Sequence, residues 1–311
     1  MLVRMKAVVV GLGIQGRKRQ AIAGDAVVAT VDPVVAGADY RRIEDVPLDS
    51  YDFALVCTPD AAKLGLLSYL LGHGKHVLVE KPVLAGNERD IAALIDLARK
   101  RRVACYTAYN HRFEPHIVRM KALIDSGAMG AVYLVRMFYG NGTARDVRGS
   151  PWRDRGAGVL PDLGSHLLDT ADFLLGRPKH RFEAWSWNAF ENRAPDHFLC
   201  GVRGRPAVEL EMTLLSWRNH FVCDVFAEKG SAHIESLCKW GPSTFTRRWR
   251  KLPSGRPDEE SVVLVQPDPT WAAEYKHFLA LCETGGSNLE NDLWINDALA
   301  GLARASVGAP A

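Results

Sequence analysis

The sequence predicts an α/β chain of two domains. The first is a doubly wound parallel sheet, and the second is an α+β domain with a large, mostly antiparallel open sheet. Three observations carry this. From Lys6 to about Thr107, short valine-rich apolar segments alternate with amphipathic stretches, the rhythm of parallel βαβ units. A glycine-rich turn, Gly11-Leu12-Gly13-Ile14-Gln15-Gly16, follows the first of those segments directly. Beyond about residue 113 the pattern turns to alternating segments joined by turn signals, and all eight tryptophans lie in that half. At 311 residues the chain is longer than one core usually grows, so domains are expected at 1–113 and 114–311.

The elements follow in order. Strands are expected at 6–10 (KAVVV), 26–31, 53–57, 76–79 and 103–107, each apolar on both faces as a strand covered by helices should be. Helices fit 14–23, 61–72 and 87–101, the last capped by Asn87 and ending in the basic residues 99–102. Between Asp32 and Phe53 only about twenty residues are available, two of them proline, so that crossover holds a short strand near 40–44 and little helix. A helix over 116–126 and a strand over 131–139 lead to a loop rich in glycine and arginine at 140–158. A helix near 162–175 comes next, then at least five strands between 181 and 265, then helices at 270–283 and 291–306.

Composition excludes several function classes. With 47% apolar and 24% charged residues the chain is an ordinary globule, and a net charge of +3 gives no reason to expect nucleic acid or an anionic membrane as partner. No segment approaches the roughly 20 uninterrupted apolar residues of a membrane span. The six cysteines, at 57, 105, 200, 223, 238 and 282, have neither disulfide-framework nor zinc spacing and read as buried thiols, so a cytoplasmic location and no metal are expected.

The turn after the first strand has the context a dinucleotide site requires. Gly11 makes the tight turn, Gly13 lets the backbone approach a pyrophosphate, and Gly16 allows close packing of helix on strand. Ile14 and Gln15 open the helix, whose N-terminus offers unpaired N–H groups to phosphate. Asp32, sixteen residues beyond Gly16 at the end of the second strand, suits the ribose hydroxyls of NAD and opposes the 2′-phosphate of NADP. Arg17, Lys18 and Arg19 would attract that phosphate or else form a solvated face. NAD is therefore favoured over NADP.

The strand VLV runs into Glu80-Lys81-Pro82, which raises the question of whether Lys81 is a solvated loop charge or a group aimed at chemistry. With the glycine fingerprint, GKHVLVEKP at 74–82, YNHRFEP at 109–115, VLPDLGSHLLD at 159–169 and NDLWINDALA at 291–300, the chain resembles the glucose-fructose oxidoreductase / inositol dehydrogenase / MocA family. The resemblance implies an N-terminal Rossmann domain and a C-terminal sheet that forms a homodimer or homotetramer. It also implies a nicotinamide cofactor used on a sugar, polyol or sugar nucleotide. One departure is Lys63, where the family's T-P-N stretch is often followed by histidine; a change in packing or at the cofactor rim is expected from it.

The resemblance implies site residues as well. His166 takes the hydroxyl proton as base, Asp162 orients the ring or holds a neighbouring hydroxyl, and Lys81 bonds the reacting oxygen. On an α-helix Asp162, His166 and Asp169 share one stripe. Thr58, Pro59, Glu80, Lys81 and Asn110 belong to the cofactor side, although a loop-capping role suits Asn110 nearly as well. Arg112, Trp152 and Arg153 belong to the substrate side. Pro82 restricts Lys81 to extended backbone and permits a cis bond. His111 and His116 show no metal-ligand pattern, and Arg247-Arg248-Trp249-Arg250-Lys251 reads as a solvated hairpin face before a phosphate site. The expected function is an NAD(P)-dependent oxidoreductase acting on a secondary hydroxyl. Alternatives are an NAD-retaining glycoside-cleaving enzyme and a non-catalytic NAD-sensing regulator.

Overall fold

The computed structural model describes residues 5–150 and 153–307. Two compact units emerge, Met1–Asn110 with Trp271–Asn296, and His111–Thr270 with Asp297–Ala311. The chain passes from the first to the second at 110/111, three residues before the expected boundary. The C-terminal return of 271–296 to the first unit corrects the expectation that everything after 113 belongs to the second.

The first unit is a five-stranded sheet of β1 (Ala7–Val10), β2 (Val27–Val31), β3 (Phe53–Val56), β4 (His76–Glu80) and β5 (Cys105–Ala108). All pairs are parallel, in the order β2-β1-β3-β4-β5. Helices α1 (Ile14–Ala23), α2 (Asp60–Gly72) and α3 (Glu88–Arg101) connect them, and the Asp90 N–H donates to Asn87 Oδ1, the expected cap. Val8, Val10, Val31, Ala54, Val56, Val77 and Val79 form its core with Leu67, Leu70, Ile91 and Leu94. Between β2 and β3 the expected strand shrinks to a single bridge, Tyr40 to Val31, followed by two short 3-10 turns.

Helix α7 (Thr270–Thr284) returns to this unit because its apolar stripe has partners there. Phe278 meets Phe53 edge to face with ring centroids 5.5 Å apart, and His277 packs on Tyr106. In α8 (Leu289–Val307), Asp292 accepts from Thr107 Oγ1 and Tyr109 OH. Asn296 bridges the Ala85 N–H and the Val83 carbonyl, so the NDLWINDALA tract braces the segment that follows Pro82.

The second unit holds helices α4 (Pro115–Asp125), α5 (Ala144–Arg148) and α6 (Ser165–Leu175), with an eight-stranded sheet. Its strands are β6 (Val132–Gly140), β7 (Glu183–Asn188), β8 (His197–Val202), β9 (Ala207–Thr213), β10 (His220–Ala227), β11 (Gly230–Glu235), β12 (Ser243–Trp249) and β13 (Asp258–Leu264). They run in the order β13-β12-β11-β10-β6-β9-β8-β7, antiparallel except for β6 beside β9. Val135, Met137, Leu210, Phe221, Cys223, Val225 and Ile234 are buried on one face, the face on which α4 and α6 pack. Leu134, Phe138, Val222 and Phe226 alternate with them onto the other face.

One helix departs from expectation. Leu160–Gly164 is π-helical and α6 begins only at Ser165. Pro161 supplies no N–H to an α ladder, and Gly164 lies so close to β9 that a Cβ would stand 2.9 Å from Met212 Sδ. A π-turn takes in more residues than an α-turn, so the helical period changes between Asp162 and Asp169, while positions four apart still lie near one face. The Asp162 side chain is 43% exposed, whereas His166 is 6% exposed.

Candidate functional site

In the first unit the glycine turn forms a cradle. Gly11 has φ 93°, and a Cβ there would lie 2.6 Å from the Cys57 carbonyl oxygen; on Gly16 it would lie 1.8 Å from the Gly11 carbonyl oxygen. Both positions therefore require glycine for packing. Among the described residues Gly13 has nothing within 4 Å of such an atom, so the space above it is open. It is the N-cap of α1 without a side-chain cap, and the first turn carries no acid, leaving N–H donors for an anion. Ile14 and Gln15 are exposed beside it, and on the neighbouring loop with Pro59 the buried Thr58 Oγ1 has no hydrogen-bond partner among the described residues. A cradle open at the central glycine, with a buried hydroxyl at its edge, fits a dinucleotide.

Gly13→Ala is expected to leave folding intact, since the methyl meets nothing and the backbone there is extended, yet to weaken NAD binding by about tenfold or more because it occupies the approach to the pyrophosphate. Calorimetric titration beside a thermal melt checks this, and an unchanged Kd would show that the cradle is not where NAD binds.

Asp32 is 8% exposed and more committed than expected. Its Oδ2 accepts from the Leu12 N–H at 2.8 Å, and Oδ1 accepts from Val34 and Val35 at 2.9 and 2.8 Å. Burial alone would raise its pKa, but these three N–H donors hold it below the ordinary aspartate value. Asp32 thus ties the glycine turn to the loop after β2 and keeps a negative charge there.

Glu80 ends β4, but its Oε1 accepts from Arg19 Nε at 2.8 Å, and Arg19 Nη2 reaches Glu274 Oε2 at 2.6 Å. Arg19 is 1% exposed and its guanidinium lies over the Trp271 ring. This corrects one expectation, since Arg19 belongs neither to a solvated face nor to a phosphate site; the Glu80 carboxylate is engaged with Arg19. Lys81 follows half-buried, and the Lys81–Pro82 bond is cis. Asn110, at the last position of the first unit, is buried and opens a 3-10 turn.

In the second unit His166, on α6, stacks on His111 with ring centroids 4.2 Å apart at 18°. Tyr139 packs on both rings and Phe221 on His111, and Trp240 packs in turn on Tyr139. Lys239 Nζ stands 3.5 Å from His111 Nε2 and over the Trp240 ring. Burial, then the charge of Asp162, pushes the Tyr139 hydroxyl well above its ordinary pKa. Asp162 pairs with Arg153 at 3.6 Å. Arg112, expected on the substrate side, instead directs Nε and Nη2 at Asp169, with contacts of 2.7–3.0 Å, and Nη2 also at Asp172. That fork–carboxylate geometry joins the 3-10 turn after β5 to α6. Trp152 lies outside the described residues. The basic run 247–251 is a paired hairpin face, with Arg248 on Glu259 and Lys251 on Asp258.

Comparison with known proteins agrees with this geometry. Residues 8–109 match the model of the oxidoreductase family with an NAD-binding Rossmann fold, and residues 117–233 match the GFO/IDH/MocA C-terminal domain. The chain belongs to the Gfo/Idh/MocA oxidoreductase family. Inositol 2-dehydrogenase of Rhizobium meliloti (strain 1021) is 30% identical over 151 residues, 48% of this chain and 41% of that protein. Levoglucosan dehydrogenase of Pseudarthrobacter phenanthrenivorans is 29% identical over 145 residues, 45% of this chain and 36% of that protein. The match spans about two-fifths of those relatives' length. An oxidoreductase from Agrobacterium radiobacter, solved in complex with NAD+, L-tartaric acid and magnesium, shares the fold with a TM-score of 0.80 over 98% of this chain and 97% of that one, at 16% identity.

Two functional-site features of this Gfo/Idh/MocA chain escaped sequence reasoning. His111 was set aside for want of a metal pattern, yet it is the ring on which His166 rests. Glu274 was unnoticed, although an acid three residues after Trp271 and four before Phe278 lies on the apolar stripe of its helix, a placement that signals a buried partner.

Proposed function

We propose that this chain is an NAD-dependent dehydrogenase or reductase acting on a secondary hydroxyl of a sugar, polyol or sugar nucleotide. The observation that carries the reading is the open Gly13 cradle on the same unit as the Glu80-Lys81-Pro82 strand end, in a chain of this family. Bound NAD would supply the hydride acceptor, held by the N–H groups of α1, with Thr58 and Asn110 toward its nicotinamide half. Lys81, as a cation, bonds the reacting oxygen and favours its alkoxide character. His166 takes the proton, and its stack on His111 fixes the ring plane. Asp162 and Arg153 hold neighbouring substrate hydroxyls. The charge of Asp32 disfavours a 2′-phosphate. The relatives named inositol and levoglucosan dehydrogenase support the substrate class. Purified protein with NAD and a panel of sugars and polyols should generate NADH absorbance; substrate consumed without any NADH appearing would favour a retained cofactor.

The chain also forms a homodimer or homotetramer through the β-sheet face opposite α4 and α6. Leu134, Phe138, Val222 and Phe226 lie there around the ladder Arg136–Asp224–His233, and Phe226 is 37% exposed. Sedimentation velocity should give a species larger than a monomer that Phe226→Glu shifts toward monomer. A monomeric wild type would refute the interface.

A further inference from the structure

We infer that Lys63 is a positioning residue for Lys81, a role that rests on the reading of Lys81 as the group that meets the reacting oxygen. Lys63 is on the first turn of α2 and 2% exposed, and its Nζ donates to the Pro82 carbonyl oxygen at 2.7 Å and to Asp60 Oδ1 at 2.7 Å. The Pro82 carbonyl is the first acceptor after Lys81, so the ammonium fixes the backbone on which Lys81 leaves β4. On the other flank Glu80 is fixed by Arg19. A buried cation therefore secures each neighbour of the half-buried Lys81.

A lysine this buried requires a reason, because an ammonium withdrawn from water is costly unless paired. Asp60, 40% exposed, is a modest partner, and methionine would fill the same space without charge. Burial pushes the Lys63 ammonium below the ordinary lysine value, opposed by Asp60. The charges around it are Asp60 on its own helix and Lys81 and Glu80 at the end of β4; Cys57 lies within reach of its field at the end of β3. What the cation supplies that methionine cannot is the hydrogen bond to Pro82.

Lys63→Met removes the donors at similar length, and Lys63→Gln restores an N–H without the charge. In Lys63→Met, kcat should fall by about tenfold or more, the scale of a catalytic group displaced by a fraction of an ångström, while the substrate KM and the Kd for NAD stay within about twofold. Hydrogen exchange across residues 79–86 should quicken, and Lys63→Gln should recover much of both losses. Wild-type kcat in Lys63→Met, or equal losses in the two variants, overturns the proposal. If Lys63→Met does not fold, a folded Lys63→Gln with wild-type exchange at 79–86 supports the proposal, and one with fast exchange overturns it. Lys81→Ala separates the two readings: turnover surviving that change defeats the role of Lys81 itself, whereas loss in Lys81→Ala beside an unaffected Lys63→Met defeats only the positioning.

Discussion

His166→Ala is expected to lower kcat/KM by about 10²–10⁴-fold, the usual contribution of a positioned general base, and Lys81→Ala by about 10²–10³-fold, that of one preorganised donor to a developing oxyanion. In His166→Ala NAD affinity should stay near wild type, because His166 belongs to the second unit and the glycine cradle to the first. The two losses differ in kind. Without His166 the proton has no acceptor, so added imidazole should restore part of the turnover, and the stack that held the ring leaves a slot beside His111 for it. Without Lys81 the oxygen loses a cation that imidazole cannot replace. Steady-state kinetics with and without imidazole, on the substrate found by the panel, checks both. Turnover within tenfold of wild type in His166→Ala would remove it from the role of base. Rescue of Lys81→Ala by imidazole would mean that the lysine, not the histidine, moves the proton.

What the sequence showed and what it hid divide along a physical line. The β1 strand, the glycine turn, the α1 start and the abbreviated β2–β3 crossover were legible because each is set by residues within a few positions: valines for a covered strand, glycines where a Cβ collides, prolines where helix is denied. The strand end at Glu80-Lys81-Pro82 was legible for the same reason. What holds that strand end was not. Arg19 and Glu80 are 61 residues apart and Arg19 and Glu274 are 255 apart, and no local pattern reports which buried cation meets which acid. The late start of α6 has a different cause: the helix expected from 162 begins only at Ser165, because the turn widens after Pro161. Arg112, expected on the substrate side, grips Asp169, 57 residues away.

Arg19→Met is expected to destabilise the protein by about 3–5 kcal/mol, the usual effect of removing one member of a buried ion pair. The magnitude follows from what would be left behind. Glu274 is fully buried and the Glu80 side chain is 13% exposed, so two carboxylates would lose their shared guanidinium without gaining water. Burial alone would drive the Arg19 guanidinium toward neutrality, and Glu80 and Glu274 more than offset it, holding the pKa above its ordinary value. The same reasoning requires a compensating variant: Arg19→Met with Glu80→Gln and Glu274→Gln removes the orphaned charges, and most of the lost stability should return. Urea unfolding of the wild type, the single variant and the triple variant checks this. A single variant within about 1 kcal/mol of wild type would mean that water reaches these carboxylates, and a triple variant no better than the single would mean that packing against Trp271, not charge, is what Arg19 supplies. Because Glu274 is on α7 and Arg19 on α1, the restored triple variant should still exchange amide hydrogens faster along α7 than wild type does. The charge network is then what fixes the returning helix in register against the nucleotide-binding turn, while the apolar contacts of Phe278 supply its stability.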